Sequence, residues 1–270
     1  MIEIQPIGEF YEVDAAGNLI NPCSMDNIPL PQRALIRELG IQYRMHLGNS
    51  LLGLYLRGSV PAGKAIPGVS DLDVLGLLKW HPHQPFIRWE RPSFADEADD
   101  ALRNHYQNRT NIDHAIAHHD PTFPGRNLSV KMVLKTQSLC VWGQDVIPGI
   151  PDFKVGKDLC MNQKWVAPIL DTWNDLENEW PSQASKIDFI RTCCKTLIRS
   201  GFELIMMAEG KYTQDLYPCY KAFSKHFPAK AEFMRQVLLL FLNPVAMQHQ
   251  ADRIFNAIGP WLRNEIDVKS

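Results

Sequence analysis

The sequence predicts an α+β fold in two parts: a mixed sheet with flanking helices over residues 1–150, then an all-helical bundle over residues 151–270. Three observations carry this. In the first half, short apolar runs are bounded by glycine, proline and charge at the length of strands rather than helices. From about residue 158 onward, apolar residues return every three to four positions, the period of a helix with one buried face. Between the two patterns lies a loop with Gly149, Pro151 and Gly156, and a chain of 270 residues is long enough for two modest domains.

The first thirty residues read as a short hairpin that turns at Ala15-Ala16-Gly17-Asn18 and is closed by Pro29 and Pro31. Residues 32–47 carry Ala34, Leu35, Leu39, Tyr43 and Met45 at loose helical spacing. Residues 51–56 are a compact apolar run ending at Gly58-Ser59, and a strand is the better reading. A second strand is expected over 69–78, broken by proline and histidine at 81–85. Residues 94–107 look helical, with acidic residues first and basic ones last, which suits the helix dipole. Residues 112–116 read as a third strand, whereas 127–150 fit neither period well. In the second half, Ile187, Ile190, Cys194, Leu197, Gly201, Leu204 and Ala208 describe one long amphipathic helix ending near Gly210. Further helices are expected over 213–226, 229–242 and 245–267, with Thr213 as N-cap of the first.

Composition excludes several classes of function. Hydrophobic residues at 45% and charged residues at 21% describe an ordinary globular chain that builds its core without staples. A formal net charge of −2 argues against a long nucleic acid as partner, because neutralising phosphates requires a basic excess. Six cysteines without C-x-x-C spacing fit reduced thiols of a cytoplasmic protein better than a disulfide framework or a zinc site. The first residues lack the basic and apolar regions of a signal peptide, and the longest apolar run, 237–242, is too short to cross a bilayer. No membrane association is expected.

The segment that carries chemistry is Arg57-Gly58-Ser59, eleven intervening residues, and then Asp71-Leu72-Asp73. Positions i and i+2 of a strand face the same way, so Asp71 and Asp73 are expected to converge their carboxylates. Carboxylates that close repel one another unless a cation lies between them, and hard oxygen ligands suit Mg²⁺. A glycine at a strand end lets a phosphate approach the backbone, and the amides of the following turn, with the Ser59 hydroxyl, can hold it.

This pattern resembles the DNA polymerase β-type nucleotidyltransferase superfamily, whose signature is Gly-Ser or Gly-Gly followed by Asp-apolar-Asp. It looks most like the small-molecule branch that includes the aminoglycoside adenylyltransferases. The close match covers about twenty-five residues, and the mixed-then-helical layout extends it loosely over the chain. The resemblance implies an N-terminal nucleotidyltransferase domain, two Mg²⁺ ions, and ATP or another nucleoside triphosphate as co-substrate. It also implies a small hydroxylated acceptor that receives a nucleoside monophosphate, with release of pyrophosphate. Asp71 and Asp73 would hold the metal, and Gly58, Ser59 and Ser70 the nucleotide. A third carboxylate should lie on a later strand. Asp113 is the choice, as metal ligand or as base on the acceptor hydroxyl, ahead of Asp120 and Glu97. A protein or tRNA acceptor, and a non-catalytic nucleotide-binding module, remain as alternatives. The chain departs from the family at Arg57, where an apolar residue is usual; this arginine would reach a phosphate or cap the strand.

Other signals compete. Residues 58–64 read as G-x-x-x-x-G-K, but Ala65 lacks the hydroxyl of a P-loop, and Pro67 and Gly68 forbid its helix. His114 and His118 would share a strand face, yet no second cluster has metal-ligand spacing, so these read as surface histidines. Arg191, Lys195 and Arg199 form a basic stripe at i, i+4 and i+8, continued by Glu203. The bland reading of the stripe is a solvated face with an Arg199–Glu203 pair. The functional one has Lys195 and Arg199 hold the β- and γ-phosphates.

Overall fold

The computed structural model describes residues 4–65, 70–106, 111–121, 126–176 and 179–269. The chain divides into two compact units, one of residues 18–153 and one of residues 1–17 with 154–270.

The first unit contains α1 (Leu30–Leu47), β1 (Leu51–Arg57), β2 (Leu72–Lys79), α2 (Ala95–Tyr106), β3 (Ile112–His119), α3 (Leu128–Gln137) and β4 (Ser138–Gly143). Its sheet has the order β3-β2-β1-β4. β1 runs antiparallel to β2 and β4, whereas β2 and β3 are parallel. Parallel neighbours require a crossover, which α2 supplies. Alternation along the strands sorts the residues to two faces. Leu54, Leu56, Leu72, Val74, Ile112 and Ile116 bury one face with Leu35, Ile36 and Leu39 of α1 and Ala98 and Leu102 of α2. The opposite side of β1, β2 and β3 carries Arg57, Asp73 and Asp113. The mixed sheet followed by a helical region is the α+β fold that the sequence predicts.

Residues 127–150, which fitted neither period, form α3 and β4. The helical period is hidden because Val130, Lys131, Met132, Leu134 and Thr136 of α3 are all buried, so polar and apolar positions no longer separate by side. The first thirty residues keep the expected turn, with the Gly17 amide on the Asp14 carbonyl at 2.9 Å, but among the described residues no strand precedes β1.

The second unit contains α4 (Val166–Leu176), α5 (Gln183–Glu203), α6 (Met206–Glu209), α7 (Leu216–His226), α8 (Ala231–Leu242), α9 (Pro244–Met247) and α10 (Ala251–Lys269). Cys193, Cys194 and Leu197 of α5 are buried, as are Cys219 and Phe223 of α7, Met234 and Val237 of α8, and Phe255 and Ile258 of α10. The long helix expected to reach Gly210 stops at Glu203. The Ile205 amide turns back to the Phe202 carbonyl, and the short α6 ends at Gly210 with φ +63°. Thr213 does not cap α7. Asp215 is the N-cap residue, and the Thr213 hydroxyl donates to the Glu9 carbonyl at 2.6 Å while accepting the Asp215 amide. The N-terminal segment joins this unit through that bond and through the Tyr11 amide on the Tyr212 carbonyl at 2.8 Å. Among the described residues no helix is long and apolar enough to cross a membrane.

Candidate active site

Strand register builds the site. Arg57 at the end of β1 lies opposite Asp73 of β2, and Asp73 lies beside Asp113 of β3. Cross-strand neighbours project to the same side, so a cation and two carboxylates stand in one row. Gly58 follows with φ +78°, and its amide donates to the Gln137 carbonyl at 3.2 Å. A Cβ at position 58 would lie 2.5 Å from Asp73 Oδ2, so only glycine allows the bend to pass this close to the carboxylate. Beyond it the chain turns tightly, with the Lys64 amide on the Ser59 carbonyl at 2.8 Å. Gly58-Ser59 and Asp73, separated in sequence, are therefore neighbours in space.

Arg57 binds both acids. Nη1 is 3.1 Å from Asp73 Oδ1, and Nη2 pairs with Asp113 Oδ2. The guanidinium lies over the Trp89 ring, 5.0 Å from its centroid. Trp89 is held there because Glu90 and Ile116 exchange backbone hydrogen bonds of 3.0 and 2.8 Å, which lays this segment along the outer edge of β3. Burial pushes the Asp73 carboxyl up to about 6; Arg57 draws it down, while Asp113 and Asp71 push it up again. Asp73 and Asp113 thus form a close pair of acids already bridged by a positive group. Their fit to a divalent cation is supported by that stand-in guanidinium, whose own Nε–H is buried without an acceptor among the described residues.

Asp71 departs from expectation. β2 begins at Leu72, so Asp71 sits just before the strand, exposed, and reaches Asp73 through its charge rather than by sharing a strand face. Among the described residues no three His, Cys, Asp or Glu side chains converge on a point that would hold a metal ion. Ser59 and Ser70 are half-buried. The weaker candidates lie in other pairings: buried Asp120 is 3.1 Å from Arg126, and exposed Glu97 is 4.0 Å from His46.

His114 and His118 are not on the surface. They share a face of β3 and are 2% and 5% exposed. His114 Nδ1 is 3.0 Å from the Tyr43 hydroxyl and Nε2 is 3.0 Å from Asp99 Oδ1. His118 Nδ1 accepts the Ile87 amide at 2.8 Å. Burial lowers both imidazoles from their ordinary value.

In the second unit, Lys195 is exposed on α5 with its ammonium over the Phe241 ring, and Arg199 Nε donates to the Gln214 carbonyl at 3.0 Å. Glu203 does not continue the stripe or pair with Arg199. It is 5% exposed and accepts the backbone amides of Met161, Asn162 and Gln163 at 2.9, 3.0 and 3.0 Å.

No protein-family model and no curated protein matches the sequence. Among solved structures the chain is similar in fold to the spectinomycin adenyltransferase AAD(9) from Enterococcus faecialis, crystallised with ATP and spectinomycin. The TM-score is 0.50 and the identity 14%, over 87% of this chain and 98% of that one. At this identity the likeness is one of fold.

Proposed function

We propose that the chain is a Mg²⁺-dependent nucleotidyltransferase that moves a nucleoside monophosphate, AMP from ATP, onto a hydroxyl of a small-molecule acceptor and releases pyrophosphate. The observation that carries this reading is the close approach of the Gly58 bend to Asp73, with Asp113 beside it in register. A fold shared with an enzyme crystallised with ATP and a small acceptor supports it.

Each residue has a role in this reading. Gly58 keeps the space beside Asp73 open, and the Ser59 hydroxyl receives the anionic tail of the nucleotide. Asp73 and Asp113 are the ligands for Mg²⁺, with Asp71 and Ser70 at the mouth of the same strand. The bound metal would supply positive charge to the phosphates and to the developing leaving group. Asp113, the more exposed acid at 55% against 23% for Asp73, either completes the metal site or takes the proton of an incoming hydroxyl. The acceptor is small and hydroxylated, and a net charge of −2 speaks against a long nucleic acid in its place.

The test is mass spectrometry of products after incubation with labelled ATP, Mg²⁺ and a panel of hydroxylated acceptors that includes spectinomycin. An acceptor mass raised by one nucleotide, together with pyrophosphate, is expected from the native chain. Asp73→Asn should lower the yield by more than the ~10–100-fold typical of lost outer-shell partners, with an unchanged circular dichroism spectrum. Pyrophosphate release by that variant at the native rate would refute the mechanism.

A further inference from the structure

The arginine at position 57 stands between the two acids that the proposed function assigns to a metal, and the inference that follows rests on that assignment. Its guanidinium spans both carboxylates, one nitrogen to each. Its central carbon lies over the ring of Trp89, itself 40% exposed, so the group is held from a second side. Its Nε–H is buried with no acceptor among the described residues, so the pose leaves one donor unsatisfied. The next residues in the chain are Gly58 and Ser59, so the bend lies within side-chain reach of a guanidinium released from the acids.

We propose that Arg57 is the resident counter-ion of the Asp73–Asp113 pair, and that a divalent cation and the Arg57 ion pairs exclude one another. A divalent cation at contact distance from these carboxylates repels the guanidinium that already bridges them, so the two compete for the pair. The bare metal must therefore displace a charge-assisted bridge before it binds, and metal affinity is reduced by the fraction of time the bridge is closed. Metal arriving with a triphosphate meets a smaller obstacle, because the displaced guanidinium gains an anionic partner.

The test uses the full chain and Mn²⁺ alone, followed by electron paramagnetic resonance or calorimetry. Arg57→Leu should bind Mn²⁺ about tenfold more tightly than the native chain, as expected for a bridge closed roughly nine-tenths of the time. Arg57→Lys, which keeps the charge but cannot bridge two carboxylates, should fall between them. A second readout separates displacement from mere loss of positive charge. Mg²⁺ added to the native chain should change tryptophan emission at the midpoint of metal binding as the guanidinium leaves the Trp89 face, and Trp89→Phe should lose that change. Equal Mn²⁺ affinity in the native chain and both variants would overturn the inference while leaving the metal site standing, as would Mg²⁺ binding without a Trp89 signal. Failure of all three proteins to bind Mn²⁺, with or without ATP, would overturn the metal assignment and this inference together.

Discussion

Adding one methyl group at position 58 should separate backbone strain from damage to the site. Gly58 has φ +78°, in the left-handed region that costs a residue with a Cβ roughly 1–2 kcal/mol. Gly17, at φ +82°, bears the same backbone cost, but a Cβ there meets nothing within 4 Å. At position 58 the Cβ would lie 2.5 Å from Asp73 Oδ2, whereas non-bonded heavy atoms settle near ~3.5 Å. The carboxylate must then withdraw by about 1 Å, a misplacement that can cost about a hundredfold in rate. Gly17→Ala and Gly58→Ala should therefore each lower the melting temperature by a few degrees (~2–4 °C per kcal/mol for a chain of this order). Only Gly58→Ala should lose nucleotide transfer, by about a hundredfold in a pyrophosphate-release assay. Equal activity in the two variants would refute the claim that the bend and Asp73 work in contact.

Three further outcomes follow from buried groups. Glu203→Ala leaves the amides of Met161, Asn162 and Gln163 without their acceptor and should destabilise the chain by at least about 3 kcal/mol in urea unfolding, since each orphaned donor costs ~1–3 kcal/mol. His118 is held neutral below its ordinary value of 6.5, so the unfolded chain takes up the proton first. Stability should then be fully present above pH ~6.5 and fall as pH drops through that value, less steeply in His118→Asn, when urea midpoints at pH ~5.5 and ~7.5 are compared. Burial pushes the Cys193 thiol up to about 12 and also raises Cys194 and Cys219, so these three should react with a thiol reagent only after denaturation.

The parts of this molecule that a sequence discloses are those set by local spacing. The run 51–57, the glycine after it and the Asp-x-Asp of the next strand are each visible within a few residues, and so is the helical period of the second half. The sequence marks Arg57 as out of place but does not disclose its partners, because those depend on strand register. Only the antiparallel pairing of β1 with β2 and the parallel pairing of β2 with β3 put positions 57, 73 and 113 in one row. The sequence puts Asp71 on the strand, whereas β2 starts one position later at Leu72, which leaves Asp71 exposed. The sequence shows no second cluster of ligand spacing near His114 and His118, and so leaves them on the surface. Tyr43 from α1 and Asp99 from α2, which satisfy His114, are contributed across the fold and leave no local trace. The three amide donors of Glu203 likewise lie about forty positions earlier and leave no local trace beside it. Trp89 carries no motif at all; a bridge between Glu90 and β3 brings it to the site.

Calorimetric titration of ATP into the native chain and into Asp73→Asn, each with and without Mg²⁺, addresses the acidic pair beside the Gly58 bend most directly. ATP should bind the native chain only when Mg²⁺ is present, and Asp73→Asn should lose that binding while keeping the circular dichroism spectrum of the native chain. ATP binding of equal strength with and without the metal, surviving in Asp73→Asn, would contradict the assignment of these carboxylates to a metal–nucleotide site.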